Sequence, residues 1–117
     1  MICFKFHALF FTNSGIAIHV NKNLLFVSDS DGYVSVATLK EYSKPKHLLT
    51  PVDIIFKPYD LSVDWLNQHL YILGEVNHNK ASLWQIARSS LSGSGLTVAV
   101  AGITSKPLHI EVDPYNG

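Results

Sequence analysis

The chain repeats itself, and a fixed period restricts what it can fold into more than any other feature. Residues 15–29, from Gly15 to Asp29, lie over residues 60–74 without a gap, Gly15 falling on Asp60 at an offset of 45. Further on, Tyr33-Val34-Ser35-Val36-Ala37 lies over Leu83-Trp84-Gln85-Ile86-Ala87 at an offset of 50. The second copy therefore carries five extra residues, which this alignment places in a loop from Glu75 to Ser82. A third copy opens where Pro107-Leu108-His109-Ile110-Glu111-Val112-Asp113 matches Pro58-Tyr59-Asp60-Leu61-Ser62-Val63-Asp64 at an offset of 49.

Within each copy the hydrophobic period is two rather than 3.6, which is the spacing of a strand with one buried face. Ile16, Ile18 and Val20 alternate with Ala17 and His19, and Leu61, Val63 and Trp65 alternate with Ser62 and Asp64. Val34 with Val36, and Trp84 with Ile86, continue the pattern, and Leu96-Thr97-Val98-Ala99-Val100 supplies a short outer strand. Turn residues punctuate it at Asn21-Lys22-Asn23, Asn67-Gln68, Asp29-Ser30-Asp31-Gly32 and Ser92-Gly93-Ser94-Gly95. Each copy thus reads as about four short strands, and repeats of roughly 40 to 50 residues built this way are propeller blades. The expected architecture is all-β: a segment outside the repeat at 1–14, antiparallel four-stranded blades at 15–57 and 58–106, and the first strand of a third blade at 107–117.

Composition excludes several function classes. The 117 residues are 47% hydrophobic and 15% charged, enough apolar surface for an ordered core. Nine basic residues balance nine acidic ones, so no bulk charge draws the chain to nucleic acid or to an anionic membrane. The single Cys3 permits no internal disulfide, and no Asn-x-Ser/Thr sequon occurs. Residues 1–11 are apolar but interrupted by Lys5 and His7, and they fall short of the roughly 20 residues a membrane span needs. The basic residue sits inside that apolar run rather than before it, which is not the layout of a secretion signal.

The blade motifs resemble the YWTD, or class B, repeats of low-density-lipoprotein-receptor-like proteins. Leu61-Ser62-Val63-Asp64-Trp65 and Ile110-Glu111-Val112-Asp113-Pro114 are similar to the first-strand motif of that family, Ile-Ala-Val-Asp. Leu25-Phe26-Val27-Ser28-Asp29 and Leu70-Tyr71-Ile72-Leu73-Gly74 resemble degenerate forms of Leu-Tyr-Trp-Thr-Asp, and Ile86 to Gly95 resembles the segment that follows it. The tetrad is nowhere intact, and His19 replaces the first-motif Asp. This wear is most similar to the propellers of the ROS and Sevenless receptor tyrosine kinases. The resemblance implies an extracellular segment of a single-pass plasma-membrane receptor with fibronectin type III domains, propellers and a cytoplasmic kinase. None of the kinase motifs Gly-x-Gly-x-x-Gly, His-Arg-Asp or Asp-Phe-Gly occurs in these residues.

Candidate chemistry is weighed against structural roles. Asp64 and Asp113 share one repeat position, where a carboxylate is expected to accept backbone N–H groups of a neighbouring strand or blade rather than do acid–base work. None of the six histidines, His7, His19, His47, His69, His78 and His109, has zinc-site spacing. Asp29-Ser30-Asp31-Gly32 opens like a calcium loop but lacks the closing Glu, and reads as a hairpin turn. Ser92-Gly93-Ser94-Gly95 leads into a β-branched run rather than a helix, so it too is a turn. Trp65, Tyr71 and Trp84 read as inter-blade core. One apolar cluster is expected from Val63, Trp65, Leu70, Ile72, Trp84 and Ile86, within the second blade and at its contact with the first. The inserted loop, with Glu75, Asn77, His78, Asn79 and Lys80, is where a ligand-recognition surface would be placed.

These readings converge on a binding scaffold with no catalysis and no cofactor in this segment. Its partners would be a protein ligand or neighbouring ectodomain modules, with no nucleic acid and no direct membrane contact. Two rivals are a propeller fragment of another YWTD receptor or matrix protein, of lipoprotein-receptor or nidogen type, and a calcium-dependent propeller hydrolase using Asp64, Asp113 and Asn67.

Overall fold

A computed structural model describes residues 13–39, 45–54, 56–78, 81–105, 107 and 110–113. The described residues are all-β, with eight strands and no helix. β1 (Asn13–His19), β2 (Leu24–Asp29), β3 (Val34–Thr38) and β4 (Lys46–Leu49) form one antiparallel sheet in the order β1-β2-β3-β4. β5 (Lys57–Asp64), β6 (His69–His78), β7 (Ala81–Ser90) and β8 (Thr97–Ile103) form a second in the order β5-β6-β7-β8. Both are open meanders, as the repeat required. The 1–14 segment lies outside the described residues save for Asn13 and Ser14, which begin β1.

Pairing shows which residues share a face, because directly opposed residues in an antiparallel ladder point the same way. In the first sheet Ala17 opposes Phe26, which opposes Val36; in the second Leu61 opposes Ile72, which opposes Ala87. These faces meet: Ala17, Phe26, Val34, Leu49, Ile54, Phe56, Leu61, Leu70, Ile72 and Ala87 form one core between the sheets. Ala17 is the repeat equivalent of Ser62, so the first sheet contributes one face type and the second sheet the opposite type. The sheets thus stack head to tail, as blades do, and the remaining face of each is equivalent to one already buried.

The apolar cluster expected around Trp84 divides in two. Glu75 opposes Trp84 and Leu73 opposes Ile86, while Leu70 opposes Ser89 and Ile72 opposes Ala87. Leu70 and Ile72 therefore face the first sheet, and Leu73, Trp84 and Ile86 lie on the other side. The sequence Leu70-Tyr71-Ile72-Leu73 is apolar at every position, so periodicity could not tell its two faces apart. Trp84 is buried nonetheless, 5% exposed, with Tyr59 edge-on to its ring at 5.3 Å.

The third copy lies on that second face. Residues 110–113 form no ladder, and none of the described residues follows them to supply one. Side chains of β5 hold them: the Ile110 N–H donates to Asp60 Oδ2 at 3.0 Å and the Val112 N–H to Ser62 Oγ at 3.0 Å.

The hairpins confirm the repeat at the level of the backbone. Asn23 and Gln68, 45 residues apart, are the two described non-glycine residues with positive φ, at 55° and 60°. The third strands do not keep the offset of 50. Phe26 opposes Val36 and Tyr71 opposes Arg88, so Arg88 is the equivalent of Val36 and the offset is 52. A slip of two residues leaves every side chain on its face, and period two cannot detect it.

Candidate functional site

The longer insertion is not a loop. Past Leu73↔Ile86 the ladder continues through Gly74↔Gln85, Glu75↔Trp84, Val76↔Leu83, Asn77↔Ser82 and His78↔Ala81. In the first sheet the chain turns directly after Ser28↔Val34. The second copy thus carries a β6–β7 hairpin that projects beyond its sister. Of the residues expected to form a ligand loop, Glu75, Asn77 and His78 are strand residues of this hairpin, and Asn79 and Lys80 lie outside the described residues. Residues 74–78 pair with residues 81–85, so the backbone groups of the described part of the insertion are taken up in the ladder.

Beside the base of this hairpin lies a cleft of about 480 Å³ between the two sheets. Ser30, Asp31 and Gly32 from the β2–β3 turn form one wall, and Lys57, Glu75 and Val76 from the second sheet form another. Pro51, Ile54 and Phe56, from the connection between the sheets, complete the lining. The turn wall is held rigid by Asp29, whose Oδ1 accepts the N–H groups of Asp31 at 2.9 Å and Tyr33 at 3.1 Å. That carboxylate serves the turn, as the hairpin reading of Asp29-Ser30-Asp31-Gly32 requires. Gly32 sits there at φ +96°, and Pro51 Cγ would lie 3.2 Å from any β-carbon added to it. On the other wall Gly74 allows Phe56 to approach: an added β-carbon would fall 1.8 Å from Phe56 Cδ2 and 2.8 Å from the Lys57 carbonyl oxygen. Aromatic packing on a strand glycine sets the floor of the cleft.

The repeat-position residues are structural and do not converge. Asp64, 4% exposed, caps the β5–β6 turn. Its Oδ1 accepts the N–H groups of Leu66 at 3.2 Å and Asn67 at 3.0 Å, and its Oδ2 accepts Asn67 Nδ2 at 2.9 Å. Burial alone would raise the Asp64 pKa, but the Asn67 side-chain and backbone donors and the Leu66 N–H, with His69 nearby, outweigh it and hold it below the ordinary aspartate value. The N–H groups it satisfies belong to its own hairpin rather than to a neighbouring blade, which corrects the expectation. His19 performs the same task one repeat earlier: its Nδ1 accepts the Lys22 N–H at 3.3 Å, three residues on, as Asp64 does with Asn67.

Asp113 is exposed, the last described residue of the third segment. Trp65 is half-buried in the β5–β6 turn, where its carbonyl accepts the Gln68 side-chain amide. Tyr71 is half-buried on the second face of the second sheet, with His69 edge-on at 6.3 Å. Tyr71 and Trp84 are thus not part of the core shared with the first sheet. Among the described residues no three His, Cys, Asp or Glu side chains are grouped as a metal would require. Ser90 Oγ accepts the N–H groups of Ser92 at 3.3 Å and Ser94 at 3.1 Å, so Ser92-Gly93-Ser94-Gly95 is a closed turn.

Of the cleft residues, Asp31 was read from sequence only as part of a hairpin turn, and Pro51, Ile54, Phe56 and Lys57 were not singled out. The signal available was the Asp31-Gly32 turn and the proline-bearing connection, which the repeat brings to the same end of the two sheets. No family model matches the sequence, and no curated protein matches it.

Proposed function

We propose that this chain is a recognition segment of an extracellular receptor ectodomain, two propeller blades and the start of a third, acting by binding and by positioning neighbouring modules. The observation that carries this reading is the cleft flanked by the projecting hairpin. A repeat that elsewhere ends each hairpin at the core extends one of them by five further pairs, Gly74↔Gln85 to His78↔Ala81, beside a groove of mixed apolar and charged lining. Binding sites are commonly built in this way, by elaborating the rim of a rigid scaffold. The resemblance to YWTD repeats of ROS and Sevenless type supports an extracellular location and a receptor tyrosine kinase parent, whose phosphoryl transfer would belong to a separate domain. The hydrolase rival loses support, because Asp64 and Asn67 are committed to each other and to a hairpin turn.

The test replaces residues 74–85 by the five-residue turn of the first sheet, Asp29 to Tyr33. Binding of both forms to purified fibronectin type III and propeller modules of such an ectodomain is then measured by interferometry. The expected result is retained β-sheet signal with at least about tenfold weaker binding, the loss of one good contact set. Equal binding by the folded shortened form, or none by the intact chain, would refute the reading.

A further inference from the structure

The charges lining the cleft do not cancel. Lys57 and Glu75 oppose each other directly in the β5–β6 ladder, so they share a face and offset one another. Asp31, exposed on the wall formed by the β2–β3 turn, is left without a counter-charge. It also differs from the other described aspartates, whose carboxylates are engaged. Asp29 serves its own turn, Asp53 accepts the Thr50 hydroxyl, Asp60 accepts the Ile110 N–H, Asp64 caps its hairpin, and Asp113 has a partner as well. The Asp31 carboxylate makes no hydrogen bond and no ion pair among the described residues, and neither does the Ser30 hydroxyl beside it. The backbone that presents them is nonetheless fixed, since the Asp31 N–H donates to Asp29 at 2.9 Å. The rest of the lining is apolar: Pro51, Ile54, Phe56 and Val76. Apolar surface continues from Pro51 onto Val52, 88% exposed in the turn that Asp53 closes through Thr50.

We infer that the cleft takes an arginine side chain from the bound module, with an apolar residue next to it in the module's sequence. An unengaged carboxylate beside an apolar floor fits a side chain that is apolar along its stem and cationic at its head. Arginine meets this description better than lysine, because its planar guanidinium donates two parallel N–H bonds to one carboxylate and is less strongly hydrated. An acidic segment would set like charge against Asp31. A wholly apolar one would cover the Asp31 carboxylate and the Ser30 hydroxyl without pairing either, which costs free energy. At about 480 Å³ the cleft has the size of a site for a short ligand segment rather than for a domain face. The arginine stem lies on Ile54, Phe56 and Val76, and its apolar neighbour meets the exposed Val52. This inference rests on the cleft being the recognition surface and adds the chemistry of what it recognises.

The test uses the full 117-residue chain and three capped peptides followed by heteronuclear shifts. The peptides are acetyl-Val-Arg-Val-amide, its citrulline counterpart, which keeps the shape and loses the charge, and its glutamate counterpart. The arginine peptide is expected to shift the amides of Asp31, Gly32, Ile54 and Val76, and to bind about fivefold or more tightly than the citrulline peptide. Its binding should weaken as salt rises, and the glutamate peptide should bind least. Asp31→Asn keeps the backbone N–H that Asp29 accepts and should bring the arginine and citrulline peptides level. Should that variant lose its sheet signal, the peptide series and salt dependence of the unaltered chain decide. Equal affinity for arginine and citrulline, shifts centred away from the cleft, no shifts with any peptide, or a folded Asp31→Asn chain that still prefers arginine would each overturn the inference. The broader reading falls on a different result, module binding that is indifferent to the shortened hairpin, so the two failures are told apart.

Discussion

The two seams of the molecule use the same repeat positions in opposite ways. Where β1 meets β5, Gly15 and Ala17 stand at the positions that β5 fills with Asp60 and Ser62. A β-carbon on Gly15 would come 2.8 Å from Asp60 Cα, so this seam depends on the absence of a side chain. Where β5 meets residues 110–113, the carboxylate of Asp60 and the hydroxyl of Ser62 accept the two N–H groups of the third copy. One seam is close backbone approach over a shared apolar core; the other is a pair of polar tethers. The repeat has kept a geometry and exchanged the chemistry that holds it.

The same exchange appears at the hairpin caps. Asp64 accepts three donors, while His19 accepts one and keeps its Nε2 buried without a partner among the described residues. An unmatched buried donor costs free energy, so the first hairpin is the less well capped of the two.

The largest effect expected is in the packed seam. Phe26 is fully buried in the core between the sheets, and Phe26→Ala should cost about 3–5 kcal/mol. Urea unfolding measures it at a fixed chain concentration. A loss no greater than that of removing one tether would collapse the distinction between the seams.

Gly15→Val probes the same seam without removing anything. The nearest atoms to the new β-carbon include the backbone of Asp60, which cannot rotate aside, so overpacking of about 1–3 kcal/mol is expected. The diagnostic is the pattern of shifts in a heteronuclear spectrum: they should run across β1 and β5 and leave β8 unmoved. A neutral Gly15→Val would mean that the two strands part readily and that the core alone holds the sheets.

How far the sequence reached follows from what period two can encode. Gly15-to-Asp29 over Asp60-to-Gly74 contains no gap, and strand existence, order and the two four-stranded sheets were legible from it. Faces were legible where apolar residues alternate with polar ones, as in Leu61 and Val63. They were not legible in Leu70-Tyr71-Ile72-Leu73, where both faces are apolar, and so Trp84 was assigned to the wrong side. The two-residue slip between offsets of 50 and 52 was invisible for a related reason, since it changes partners without changing faces. The cleft was the least legible part, because its lining comes from a turn, a connection and a hairpin that the sequence keeps far apart.

The third prediction turns to the caps and to pH. Asp64 has its pKa lowered in the folded chain relative to the unfolded one, so its carboxylate contributes stability that is fully present above the unfolded value of about 3.9. That contribution is lost as pH falls through the lower, folded value. Asp64→Asn, which removes the charge, should cost about 1–3 kcal/mol near neutrality, the usual worth of hydrogen bonds to a charged group. The gap between the two proteins should narrow as pH drops below about 4. Urea midpoints from pH 7 to pH 3 test this, and a gap constant over that range would mean that the carboxylate charge plays no part in the turn.

The smallest effect is expected at the polar seam. Ser62→Ala removes one acceptor, and the Val112 N–H that it serves is only half-buried and can turn to water, so the loss should be about 0.5–1.5 kcal/mol. The loss should also be local. Ser62 lies on the face of β5 turned away from the shared core, so amides in β1 to β3 should exchange as before while those of residues 110–113 lose protection. Asp60→Asn is the companion change: an amide oxygen can still accept the Ile110 N–H, though without the charge that strengthens the bond, so it should loosen the segment less than Ser62→Ala combined with Asp60→Ala. If either tether variant instead lowered protection throughout the first sheet, the seams would be coupled, and the third segment would belong to the same cooperative unit as the core rather than resting upon it.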